Sequence, residues 1–254
     1  MPPALTLADV TLCHGPTEAV SGLTGSFAPG SLTAVIGPNG AGKTTLLHAL
    51  AGLHKPRHGL IERGGLAMAD IALLPQSGHP DRRFPLTCRD VAAQGLYPRL
   101  GALRAAGPQG RSRVSEALVA VGLQGMEERS VAALSAGQFQ RLLFARLMVQ
   151  DAQVLLLDEP FNAIDASTVA ALLVLLRRWH QDGRTIVAVL HDMELVEQFF
   201  PSTLLLAREA VAWGDTALVL TSANRRRARL IPDDWSLVLE AIAPRPAALT
   251  RSAA

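Results

Sequence analysis

Gly37-Pro38-Asn39-Gly40-Ala41-Gly42-Lys43-Thr44 sets glycines, one lysine and one hydroxyl in GxxxxGK[ST] spacing, between the apolar run Leu32 to Ile36 and the helical run Thr44 to Ala51. Glycines at these positions let successive backbone N–H groups turn toward one anion, and the helix start behind them adds partial positive charge. The loop therefore predicts binding of a nucleoside triphosphate, with Lys43 reaching the β- and γ-phosphates and Thr44 a magnesium ion. Thr45, by analogy with related loops, takes the α-phosphate. Farther along, the apolar run Val154 to Leu157 ends in Asp158-Glu159-Pro160. Asp158 suits magnesium, a hard cation that prefers oxygen donors. Glu159, on the opposite face of the extended backbone, is positioned to orient and deprotonate an attacking water.

A third stretch, Leu134-Ser135-Ala136-Gly137-Gln138, has Ser135 and Gln138 in the S-x-x-Q spacing of a capping box, opening a helix whose apolar positions include Phe139, Leu142 and Leu143. A capped helix start is an anion site, although most capping boxes cap a helix and nothing more. Asp165 has the position of an N-cap for the helical run Ala166 to His180.

These residues together resemble the ABC ATPases. LSAGQ is similar to the LSGGQ signature of that family and lies about twenty residues before the DEP carboxylates, as the family requires. The resemblance covers the chain up to about Asp215 and implies a fold: an α/β P-loop ATPase with a RecA-like parallel-sheet core, an N-terminal antiparallel β-subdomain and an inserted α-helical subdomain. It also implies that ATP and Mg2+ are bound between two copies of the chain, with Ser135, Ala136, Gly137 and Gln138 facing the γ-phosphate held by the other copy. Gln76 matches the glutamine that links magnesium and the lytic water to the helical subdomain. Asp165 matches the loop that crosses the dimer interface, and His191 matches the histidine that contacts the γ-phosphate. Two positions depart from the pattern. Ala136 replaces the first glycine of the signature, where a methyl group crowds the approach if the backbone has positive φ. His14 stands where the family carries an aromatic platform for adenine, and stacks less extensively than Tyr.

The segments Leu74-Pro75-Gln76, Phe84-Pro85-Leu86-Thr87, Arg89-Asp90-Val91 and Gly95 to Gly101 are similar to the ATPases of metal and metal-chelate importers. That likeness implies an integral membrane permease subunit docked on this surface and a periplasmic or extracellular metal-binding protein in the complete system. The run Gln150-Asp151-Ala152 to Asp158-Glu159-Pro160-Phe161, with Asp165-Ala166, also resembles the zinc and manganese branch and favours zinc as the transported ion, with manganese or an iron chelate as rivals and an exporter ATPase as the other alternative. A repair ATPase would carry a long coiled-coil insertion, and a translation factor two sets of motifs; the chain has neither.

The elements that must position these groups are strand-like apolar runs at Leu32 to Ile36, Ile71 to Leu74, Val154 to Leu157, Thr185 to Leu190 and Thr203 to Leu206, alternating with helical patterns. Such alternation predicts a parallel sheet with ligands at the carboxyl ends of its strands. The first 28 residues read as short antiparallel strands, and Ser77 to Val131, rich in Pro and Gly, as a mostly helical insertion. We take residues 1–215 as the ATPase domain, with the insertion at about 77–133, and 216–254 as an extension whose end, from Ala243, frays.

A formal charge of +2 from nearly balanced acids and bases lacks the broad positive field of a nucleic-acid binder. The run Arg225 to Arg227 reads as a solvated face. The longest apolar run, Val169 to Leu176, is far short of the roughly 20 residues that span a bilayer. The start also lacks a secretory pattern, and the family resemblance implies a peripheral protein on the cytoplasmic face of the inner membrane. Cys13 and Cys88 read as packing residues. His54 and His58 have i, i+4 spacing, but two ligands do not make a metal site, and the surrounding Pro and Gly predict a loop.

Overall fold

The computed structural model describes residues 2–76, 85–101 and 106–229. Two sheets organise them. The first is antiparallel, order β2-β1-β4, from β1 (Leu5–His14), β2 (Thr17–Phe27) and β4 (His58–Glu62). The second has six strands in the order β5-β6-β7-β3-β8-β9. Its members are β3 (Leu32–Ile36), β5 (Ile71–Leu74), β6 (Val154–Asp158), β7 (Thr185–Val189), β8 (Ser202–Ala207) and β9 (Glu209–Asp215). All neighbours are parallel except β8 and β9. β3, β6 and β7 are buried at every residue, which is why each reads as an unbroken apolar run rather than an alternating one.

The helices are α1 (Lys43–Leu50), α2 (Cys88–Ala93), α3 (Tyr97–Leu100), α4 (Pro108–Ala120), α5 (Ala136–Gln150), α6 (Ala166–Gln181), α7 (Met193–Phe199), α8 (Thr216–Val219) and α9 (Ser222–Arg227). α1 lies between the sheets. Its Leu46, Leu47 and Leu50 share a core with Leu5, Leu7 and Leu12 of β1 and with Val35, Leu156 and Val187 of the large sheet. On the other face, α2, α4 and α5 bury Val91, Leu118 and Phe144 in a second core continuous with Leu155 and Ile186. The fold is thus the expected one: a parallel core, an antiparallel sheet beside it, and helices inserted between β5 and β6.

Several local expectations change. His58 opens β4 instead of lying in a loop, because β1 offers a free edge at Thr11 and Ala8 and the chain pairs there. Its Nε2 meets Asp9 Oδ2 at 3.1 Å, in the open. β9 carries no apolar alternation and forms by pairing with β8. Past Asp215 the described chain stays packed: Val219, Leu220 and Ala228 join the main core beside Val196 and Phe200. Of the basic run, Arg226 and Arg227 are exposed, while Arg225 is half-buried and paired with Glu197. The insertion residues 77–84, with Phe84, and the tail from Ala243 lie outside the described residues.

Candidate active site

The phosphate loop follows β3, and its shape depends on two glycines. A Cβ on Gly37 would lie 1.9 Å from Leu206 O, and one on Gly42, at φ +91°, 2.4 Å from Ala19 O. The loop is therefore wedged between β8 and β2 with no room for side chains there. Gly42 caps α1, so Lys43 is its first residue. The Lys43 ammonium donates to Gly37 O at 2.8 Å and Pro38 O at 3.0 Å. Burial pulls its pKa below the ordinary lysine value, against the opposing pull of Glu159 and Asp158.

One residue on, Thr44 Oγ1 donates to Asp158 Oδ2 at 2.7 Å, joining the start of α1 to the end of β6 across 114 residues of sequence. Asp158 is 2% exposed and its Oδ1 has no hydrogen-bond partner. Burial pushes its carboxyl above the usual aspartate value, although the Thr44 bond opposes this. An unpartnered, buried carboxylate oxygen beside a threonine hydroxyl is the donor set a small divalent cation takes.

Glu159 turns out of β6 at φ 50°, left-handed and unusual for a residue with a Cβ, instead of continuing the extended backbone. Its N–H donates to Val189 O at 3.1 Å. The side chain is gripped on both oxygens: His191 Nε2 lies 2.5 Å from Oε1, and Asn162 Nδ2 donates to Oε2 at 3.1 Å. Burial alone would raise its pKa, but the hydrogen bond and charge of His191, with bonds from Gln76 and Asn162, hold it below the ordinary glutamate value.

Lys43, Thr44 and Glu159 face one cavity of about 620 Å³, whose lining also includes His14, Asn39 to Gly42 of the phosphate loop, Thr45 and Gln76. The volume is in the range for a nucleotide-sized ligand. The signature residues lie apart from it. Ser135 and Gln138 form the expected capping box at 3.2 and 3.0 Å. Ala136 is the first residue of α5 and is not among the residues with positive φ, so its methyl costs no backbone strain. Gly137 faces the N-cap of α6, where a Cβ would meet Thr168 Oγ1 at 3.0 Å and Asp165 Oδ2 at 3.2 Å. Asp165 caps that helix, accepting from Thr168 N at 2.9 Å. Within one chain, then, Lys43, Thr44, Asp158, Gln76, Glu159 and His191 come together; of the signature residues only Ala136 approaches them, lining a neighbouring crevice with Gln76, Asp158 and Glu159.

The comparisons with known proteins follow the same lines. Residues 20–162 match the family model described as ABC transporter. The chain belongs to the ABC transporter family. This ABC ATPase is 36% identical over 221 residues, 84% of the chain and 90% of the relative, to the "Manganese transport system ATP-binding protein MntB" of Listeria monocytogenes. It is 34% identical over 229 residues to the "Zinc transport system ATP-binding protein TroB" of Treponema pallidum, covering 87% and 86% of the two chains. Among solved structures, a metal-chelate type ABC transporter in an inward-facing conformation superposes with a TM-score of 0.80 at 28% identity, over 90% of both chains. An ATP-binding cassette in its ADP conformation, 17% identical with a TM-score of 0.77 over 91% of this chain and 99% of that one, shares the fold.

Several lining or gripping residues escape a reading of the sequence, among them Thr17, Glu18 and Ala19 of β2. Asn162 sits three residues after Glu159, a spacing that could have pointed to it. Arg208, which also lines the cavity, lies in no motif.

Proposed function

We propose that this ABC ATPase binds MgATP in the cavity between His14 and Glu159, hydrolyses it between two copies of the chain, and so powers a membrane permease that imports a divalent metal ion. The observation that carries this reading is the convergence of Lys43, Thr44 and the gripped Glu159 on one cavity, with Asp158 hydrogen-bonded to Thr44.

Lys43 exchanges its loop carbonyls for β- and γ-phosphate oxygens, while the N–H groups of Gly40 to Thr45 and the start of α1 stabilise the rest of the phosphate chain. Thr44, Asp158 and Gln76 would hold magnesium, which, when bound, neutralises charge on the phosphates. Glu159, kept ionised by its surroundings, accepts the proton of the attacking water as the water oxygen bonds to the γ-phosphorus and the bond to the bridging oxygen breaks, releasing ADP and phosphate. His191 and Asn162 orient the carboxylate. Ser135 and Gly137 of a second copy cover the γ-phosphate, with Asp165 at the seam, so that ATP joins the two copies and its hydrolysis releases them.

The test is Glu159→Gln. It should bind MgATP with near-native affinity and form a dimer by size exclusion, with turnover lowered by about 10²-fold or more. Native turnover in this variant would remove Glu159 as the base. For the cargo, manganese and zinc are both supported by the names of relatives, with manganese the more frequent. Restoring zinc, manganese and iron one at a time to a chelator-starved strain lacking the chain separates them.

A further inference from the structure

We propose that Arg208 is a nucleotide-binding residue, supplying a second permanent cation to the phosphate chain; this rests on the cavity being the ATP site. Arg208 follows the last residue of β8 and has φ 66°, a left-handed backbone disfavoured for any residue with a side chain. Two backbone hydrogen bonds hold it there. Its N–H donates to Ala41 O in the phosphate loop at 3.3 Å, and its carbonyl accepts from Ser21 N of β2 at 2.8 Å. Arg208 is thus pinned between the two elements that wall the cavity, and it lines that cavity alongside Asn39, Gly40 and Lys43.

The guanidinium has no hydrogen-bond or ion-pair partner among the described residues. This sets it apart from Arg99, Arg113, Arg184 and Arg225, each of which is paired with a carboxylate. Lys43, the cavity's other permanent cation, is a single ammonium, and a triphosphate carries more negative charge than one lysine balances. A guanidinium fork suits two phosphate oxygens at once and cannot lose its proton. The strained, doubly anchored backbone is explained if its role is to aim that fork across the loop.

Equilibrium titration of the full chain with MgATP at low and high salt tests this, using the native protein, Arg208→Ala, Arg208→Lys and Lys43→Ala. Arg208→Ala should weaken binding about three- to tenfold at low salt, flatten its salt dependence, and leave the melting temperature of the nucleotide-free protein unchanged. Arg208→Lys should recover part of the loss, because it keeps the charge and gives up the fork. Native affinity in Arg208→Ala overturns the proposal, as does an equal loss in the Lys variant with salt dependence intact, which would mark a role in loop shape. If Lys43→Ala loses ATP while Arg208→Ala does not, only Arg208 is wrongly assigned. If the native protein itself binds no MgATP, the site reading falls with it.

Discussion

At the scale of single residues, the carboxylates of this site differ in what surrounds them. Asp158 is buried with one oxygen unpartnered, Glu159 is gripped on both oxygens, and Asp165 accepts from Ser167 Oγ, Thr168 N and Thr168 Oγ1. The Ser167 bond, followed by the two from Thr168, holds the Asp165 carboxyl far below the usual aspartate range. A depressed folded-state pKa contributes stability that is fully present above the unfolded value of about 3.9 and is lost as pH falls toward the folded one. Comparing native protein with Asp165→Asn by urea unfolding should therefore show a stability gap constant from neutral pH to about 5 and shrinking below about 4. A gap that grows on acidification would contradict the cap. Motif residues were legible in the sequence because phosphate and proton chemistry need fixed types at fixed local spacing. Arg208 was not, because what matters is its closeness to Ala41, far away along the chain. The positive φ of Glu159 was also hidden, since no local signal separates it from the extended Asp158.

Among the elements, α5 acts as a strut between the signature and the core. Gln140 Nε2 donates to Pro160 O at 2.7 Å, Arg146 to Leu73 O at 3.1 Å and Gln150 Nε2 to Ile71 O at 3.1 Å. One helix thus reads the loop after Glu159 at one end and the strand before Gln76 at the other. Gly95, after α2, lets this strut pack closely: a Cβ there would lie 2.4 Å from Arg146 O and 2.8 Å from Gln150 N. Backbone cannot yield as a side chain does, so Gly95→Ala should destabilise the protein by about 1–3 kcal/mol, read from the denaturant midpoint. An unchanged midpoint would mean that the helical insertion is looser than its packing implies. Strands buried on both faces were legible as unbroken apolar runs. β4 was not, because only Ile61 of its five residues is buried and Gly59 suggests a turn. At φ +80°, Gly59 instead lets β4 pass close to Ala8 O and Asp9 O of β1.

On the scale of the whole molecule, the fold sets Ser135 outside the cavity lined by the phosphate loop, as the proposed two-copy site requires. The phosphate loop sits with Asp158, Glu159 and His191 at the carboxyl ends of β3, β6 and β7, while Ser135 opens α5 outside that cavity. The fold class could be inferred because strands and helices alternate; the described chain beyond Asp215 could not, because α8 and α9 are too short to show a period.

The two sheets are also joined away from the phosphate loop. Trp213 of β9 packs against Phe27 of β2, ring centroids 4.7 Å apart and planes tilted by 53°, and fills the space a Cβ on Gly25 would need, at 2.5 Å. Its indole is therefore an optical gauge set at the seam: loosening of the small sheet from the large one must wet it and redden its emission. Heating should then give a fluorescence transition, isolated by difference against Trp213→Phe, that coincides with the loss of helical ellipticity. An earlier fluorescence change would reveal that the small sheet detaches before the large one gives way.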